Sequence, residues 1–188
     1  MTADTEEFLS VAGEFLRAEP ARNSVMLTVT ADLLAAGPAA GPHGMLFGWW
    51  RPDAGPLAGA FMHTPGHPAV LSGLGETPAA VLARDLAAAG RPVPGVNAGQ
   101  QAAAAFTAAW RDRTGDAATE HRRMRLFRLA RLVPPAPAPA GAARLAVAAD
   151  RDLLGGWFAA FAREVDDDVP GHDHHAEVDH RLGYGGIT

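Results

Sequence analysis

Histidines and carboxylates crowd one short stretch of this chain: His172, Asp173, His174, His175, Glu177, Asp179 and His180. Imidazole and carboxylate are the usual ligands of zinc and related ions, so composition alone points to metal chemistry. Spacing points elsewhere. A helix beginning near Asp173 places His175 and Asp179 on one face at i, i+4, aims the other side chains away, and matches neither H-x-x-x-H nor H-E-x-x-H. A solvated loop leading into a short helix through Glu177 to Leu182 is the expectation, and no metal ligands are assigned. A second chemistry-bearing run, Arg122, Arg123, Arg125, Arg128 and Arg131, is basic enough to touch phosphates or an acidic partner. It lacks an interleaved aromatic platform beyond Phe127, so arginines on the wet face of an edge strand are the preferred reading. His63, with Thr64 beside it at a strand end, has no neighbouring acid or nucleophile in the sequence and reads as structural. Trp49, Trp50, Trp110 and Trp157 read as packing residues and not as a ligand cage.

Composition bounds what these groups can serve. The chain has 188 residues, 48% of them hydrophobic and 20% charged, enough for one or two domains with a real core. All 16 basic residues are arginine, and against 21 acidic residues they leave a net charge of −5, which argues against a general nucleic-acid binder. Absence of cysteine removes disulfides, thiolate zinc sites and cysteine nucleophiles, and fits a reducing, cytoplasmic setting. The acidic start M-T-A-D-T-E-E-F lacks a basic region followed by an apolar one, and no run of about 18 apolar residues occurs. Neither export nor membrane insertion is expected.

The elements that must position these residues follow from periodicity. Asp4 to Glu7 has capping-box spacing, and Phe8, Val11, Ala12, Phe15 and Leu16 repeat with helical period. Pro20 breaks that helix; Asn23 or Ser24 can cap a second one carrying Val25, Met26, Val29, Leu33 and Leu34, although its β-branched content leaves a strand open. After a Gly/Pro loop at residues 37–42, three apolar runs at 45–50, 57–63 and 69–74 are separated by turn residues and predict an antiparallel meander. Thr77 followed by Pro78 reads as the cap of a helix that stops at Gly90. A strand near residues 93–96, a helix carrying Ala102, Ala105, Phe106, Ala109 and Trp110 and closing near Gly115, and a strand over 119–133 complete the pattern. The expected class is α/β (α+β), with a mixed, mainly antiparallel sheet flanked by helices.

Four prolines within residues 134–139 make 134–141 an extended linker. Beyond it the pattern restarts: a strand at 144–148, a capping Asp150, a helical stripe of Leu154, Trp157, Phe158, Phe161 and Ala162, and a turn entering a strand at 184–188. Residues 1–133 are expected to form one complete domain and 142–188 the opening of another, because forty-odd residues fall short of an independent domain.

Several segments resemble bacterial two-domain GNAT-family N-acetyltransferases: F-L-S-V-A-G-E-F-L-R-A-E-P-A-R-N-S from Phe8, F-G-W-W-R from Phe47, G-A-F-M-H-T-P from Gly59, P-V-P-G-V-N-A from Pro92, R-L-F-R-L from Arg125 and A-R-L-A-V-A-A-D-R-D-L-L from Ala143. The resemblance covers nearly the whole chain and rests on segments that are not catalytic. It implies a first domain of GNAT-like fold that has lost its cofactor site, and a second that carries acetyl-CoA and the transfer to an amine, on a small molecule or a protein. The family's pyrophosphate loop, [RQ]-x-x-G-x-[GA] between a strand and a helix, does not occur after Gly141. Its nearest counterpart is Leu71-Ser72-Gly73-Leu74-Gly75-Glu76-Thr77, which supplies glycines but no cation and adds a carboxylate. Gly73 and Gly75 are thus the cofactor-binding candidates, with turn formation the preferred reading. The resemblance also sets the first helices of the second domain beside the acceptor site, making Glu164, Asp166, Asp167 and Asp168 candidates to attract a cationic amine. A solvated acidic face is the competing account. No catalytic base can be assigned. Two functions follow: the N-terminal portion of an acetyltransferase, inactive as this chain, or a non-catalytic GNAT-fold packing or interaction module. On either, the face of Trp157, Phe158 and Phe161 must pack on residues 1–133 or on a second copy of the chain.

Overall fold

The computed structural model describes residues 1–37, 44–53, 55–138, 140–165 and 171–188, and divides the chain into two compact units, Met1–Leu129 and Ala130–Thr188. The expected Gly/Pro loop, from residue 38 on, lies outside the described residues.

The first unit is α+β. Helix α1 (Thr5–Ala18) starts where the Asp4 carboxylate accepts from the Glu6 and Glu7 amides, and Phe8, Ala12 and Leu16 bury its apolar stripe. Glu7 does not close the expected box; it accepts from the Thr2 hydroxyl instead. Helix α2 (Ser24–Ala36) keeps its helical form despite the β-branched residues, because Met26 and Thr30 are buried and the Thr30 hydroxyl donates to the Met26 carbonyl at 2.7 Å. Asn23 does not cap α2 with its side chain. Its amide donates to the Leu16 carbonyl at 2.9 Å and its carbonyl oxygen accepts from the Ser72 hydroxyl, so a buried Asn ties the end of α1 to the sheet.

The meander forms as expected: β1 (Leu46–Trp50), β2 (Gly59–His63) and β3 (Ala69–Ser72) are antiparallel neighbours. All five residues of β2 are buried, since helices cover both faces of the sheet. Ala60 and Met62 join Phe8, Leu16, Met26 and Phe47 on one side, whereas Phe61 joins Leu71, Leu82, Leu86 and Phe106 on the other. Gly48 lies opposite Phe61 in the β1–β2 ladder, where any side chain would meet the Phe61 ring.

Helix α3 (Glu76–Ala88) carries the chain across the sheet to β4 (Val96–Asn97), which pairs parallel to β3, and α4 (Gln100–Thr114) packs against α3. Gly115, at φ +82°, closes α4 with its amide on the Arg111 carbonyl. Two expectations are corrected here. Gly75, not Thr77, stands at the N-cap of α3. The fourth strand is confined to two residues because Pro92 and Pro94 withhold amides just before it. A third correction concerns residues 119–133, which form no strand: alternation supplies a strand's side-chain pattern, but the segment has no ladder partner among the described residues. Met124, Leu126, Phe127 and Leu129 are exposed there.

The second unit contains a 3-10 turn (Ala148–Asp150), α5 (Arg151–Glu164) and α6 (His174–Gly183). Leu154, Gly155 and Val178 are buried where the helices meet, and a side chain at Gly155 would strike the His175 ring. Residues 144–148 and 184–188 form no strands; a single backbone bond, Ala146 amide to Ile187 carbonyl at 3.0 Å, joins them. Asp150 does not cap α5 with its side chain. The helical stripe is divided: Leu154 is buried and Phe158 half-buried, whereas Trp157 and Phe161 are 60% and 65% exposed. Among the described residues, no helix is long and apolar enough to cross a membrane.

Candidate functional site

In a parallel β–α–β crossover, ligand clefts open beyond the carboxyl ends of the strands. That is where the first unit has a cleft of about 340 Å³, lined by Leu74 and Gly75 after β3 and by Gly99, Gln100, Gln101 and Ala102 at the start of α4. Only Ala69 and Val70 of β3 pair with β4, so the two chains separate as they approach the cleft. Both bordering helices, α3 and α4, start without a side-chain cap, leaving positive dipole ends towards it. The α4 contribution, Gly99-Gln100-Gln101, was not singled out from sequence, because two glutamines after a glycine carry no distinctive signal.

The electrostatics of this cleft oppose a pyrophosphate. No lining residue is cationic. Glu76 occupies the first helical position of α3 and Pro78 the third, so one amide is missing and a carboxylate offsets the helix end. The two candidate glycines have different roles. Gly73 is held at φ +69°, and a Cβ there would lie 2.6 Å from the Ala58 carbonyl oxygen and 2.7 Å from the Phe15 ring. It is the turn residue that lets β3 leave the sheet. Gly75 has ordinary φ and open space around it.

His63 ends β2 and is 1% exposed. An Arg91 guanidinium nitrogen lies 3.3 Å from its Nδ1 and donates to the Gly44 carbonyl at 2.8 Å. Because arginine can only donate, His63 Nδ1 accepts and the ring hydrogen sits on Nε2. Burial, then the charge of Arg91, then that of His67, pushes the His63 pKa below its ordinary value. The arrangement holds a neutral imidazole, and among the described residues no nucleophile or acid is bonded to it.

In the second unit, Glu164 is the exposed last residue of α5, and Asp166, Asp167 and Asp168 lie outside the described residues. Arg144 grips Asp150 with two bonds of 2.7 Å, and with the Val147 amide holds its carboxyl down to about 2. His175 and Asp179 do share a face of α6, and that face is used in packing: Arg151 of α5 donates to both Asp179 oxygens, and His175 lies over Gly155. The histidine cluster converges differently from its helical spacing. His172, His174 and Glu177 bring ligand atoms within 4.8 Å of one another, a set that sequence reasoning missed because His172 precedes the helix and its position depends on the turn before Asp173. Of the arginine stripe, Arg123 pairs with Glu120 at 2.8 Å, and all of residues 121–131 are exposed.

Comparison with protein-family models, curated proteins and solved structures gives no match to this chain.

Proposed function

We propose that the chain is the N-terminal portion of a cytoplasmic GNAT-type N-acetyltransferase whose first unit is a non-catalytic packing module, the transfer of acetyl from acetyl-CoA to an amine being carried outside that unit. The observation that carries this reading is the cleft at the β3–α3–β4 crossover: it has the position of a nucleotide site and none of its cations. Each uncapped helix end offers an anion about 0.3–1 kcal/mol. Glu76 offsets the end of α3, so the remaining attraction falls well short of the roughly 8 kcal/mol that micromolar affinity requires. Transfer also needs a general base for the amine and an amide to polarise the thioester carbonyl, and the lining residues include no side-chain base. The exposed Trp157 and Phe161 of α5 fit a helix made to be covered by further structure or by a second copy of the chain.

Calorimetric titration of the 188-residue chain with acetyl-CoA tests the reading. A dissociation constant no tighter than about 1 mM is expected, with no acetylation of amines. A one-to-one micromolar isotherm would overturn it and make the cleft a working cofactor site. Where a coding sequence continues past Thr188, an [RQ]-x-x-G-x-[GA] segment after a strand is the expected companion. A stop codon there would leave the packing module alone.

A further inference from the structure

We propose that His172, His174 and Glu177 form a binding site for a divalent transition ion of the zinc class. The three residues span the start of α6: His172 precedes the N-cap, His174 is the first helical residue, and Glu177 follows His174 at i+3 on the same side. The Asp173 carboxylate accepts from the His175 and Ala176 amides at 3.0 and 3.1 Å, which fixes the turn from which His172 and His174 project. His172 Nε2 and Glu177 Oε2 are 3.2 Å apart. Two ligands on a tetrahedral zinc ion, each bound at about 2.0–2.1 Å, stand about 3.3 Å apart, so one edge of the site is already at coordination distance. The His172 and His174 rings meet edge to face with centroids 4.7 Å apart, and the three ligand atoms lie within 4.8 Å of one another.

The surroundings suit a bound cation. Arg181 donates to Glu177 Oε1 at 3.0 Å and leaves Oε2, the oxygen nearest His172, for the ion. Such a second partner on a ligating carboxylate orients it. Two imidazoles and one carboxylate are the borderline nitrogen and oxygen donors that select zinc, cobalt or nickel over calcium or magnesium. The set leaves a fourth position for water. On binding, the hydrogen between His172 Nε2 and Glu177 moves to Nδ1 through solvent, and the Nε2 lone pair and Oε2 take the ion.

The test uses the untagged 188-residue chain, titrated with zinc chloride by calorimetry and with cobalt(II) by visible absorption. One ion per chain is expected, with a dissociation constant of roughly 1–50 µM and cobalt bands of tetrahedral intensity. His172→Ala and Glu177→Gln are each expected to weaken binding at least about tenfold, while His121→Ala leaves it unchanged. His172 precedes α6 and Glu177→Gln preserves shape, so a circular-dichroism spectrum equal to wild type separates lost ligation from lost folding. Absence of binding below about 100 µM, or binding that survives both substitutions, would overturn the proposal.

Discussion

Gly73 and Gly75 stand two residues apart in the same turn, and their surroundings predict opposite responses to substitution. Gly73→Ala must adopt φ +69° and force its Cβ against the Ala58 carbonyl and the Phe15 ring. A loss of about 2–4 kcal/mol is expected in urea unfolding. Gly75→Ser places a good N-cap residue at an uncapped helix start with nothing within 4 Å, so stability should stay within about 0.5 kcal/mol of wild type. Equal losses would show that the open position of Gly75 is misjudged. His63 supplies a pH signature. Its folded pKa lies below its unfolded value near 6.5, so the unfolded chain takes up more protons as acid is added. The His63–Arg91 arrangement therefore contributes fully above about pH 7, and its contribution falls as pH drops through about 6.5 toward the folded pKa. His63→Gln should be less stable than wild type at about pH 7.5, and the gap should narrow by about pH 5.5. A gap independent of pH would mean that the imidazole does not titrate with folding.

Helices and strands differ in how much of their information is local. The stripe of α1 and the Gly115 stop of α4 are written in consecutive residues, because a helix satisfies its own backbone. The same local rule found α5 as a helix, but not which of its apolar positions are covered. Its five apolar positions repeat with helical period, yet one neighbouring helix covers only part of that circumference: Leu154 is buried, Arg181 of α6 lies 5.6 Å over the Phe158 ring, and Trp157 and Phe161 remain exposed. Strands depend on partners. Residues 45–50, 57–63 and 69–74 were recognisable because three apolar runs with short turns supply partners to one another. Residues 119–133 have alternation and arginines suited to an edge, but no such neighbour along the chain.

The two units are joined through a stretch that carries no helix or strand: residues 115–138 are exposed throughout, and the described residues from 115 to 147 contain no regular element. Trypsin should therefore cut first among Arg122, Arg123, Arg125, Arg128 and Arg131, leaving a resistant N-terminal fragment that ends in this stretch. First cleavage at Arg17, within α1, or at Arg84, within α3, would contradict this, as would uniform resistance of the intact chain. The division between the units, at Leu129/Ala130, lies a few residues before the prolines from which the linker at 134–141 was expected.

The sequence by itself determined the α+β class, the antiparallel meander, the helix stops at Gly90 and Gly115, and the anion-hostile character of the turn after β3, since Glu76 and Pro78 carry their chemistry wherever they stand. Periodicity and turn residues encode those features over a few neighbours. Tertiary structure decided what depends on residues far apart. The Gly99–Gln101 side of the cleft exists only because β4 returns parallel to β3. The side chain of Asn23 bonds Leu16 and Ser72 instead of capping α2 because α1 and β3 surround it. Asp179 is taken by Arg151, 28 residues earlier, which separates it from the histidines it resembles in composition. His172, His174 and Glu177 meet because a capped turn folds the chain back over the first turn of α6, a geometry that helical spacing alone does not encode.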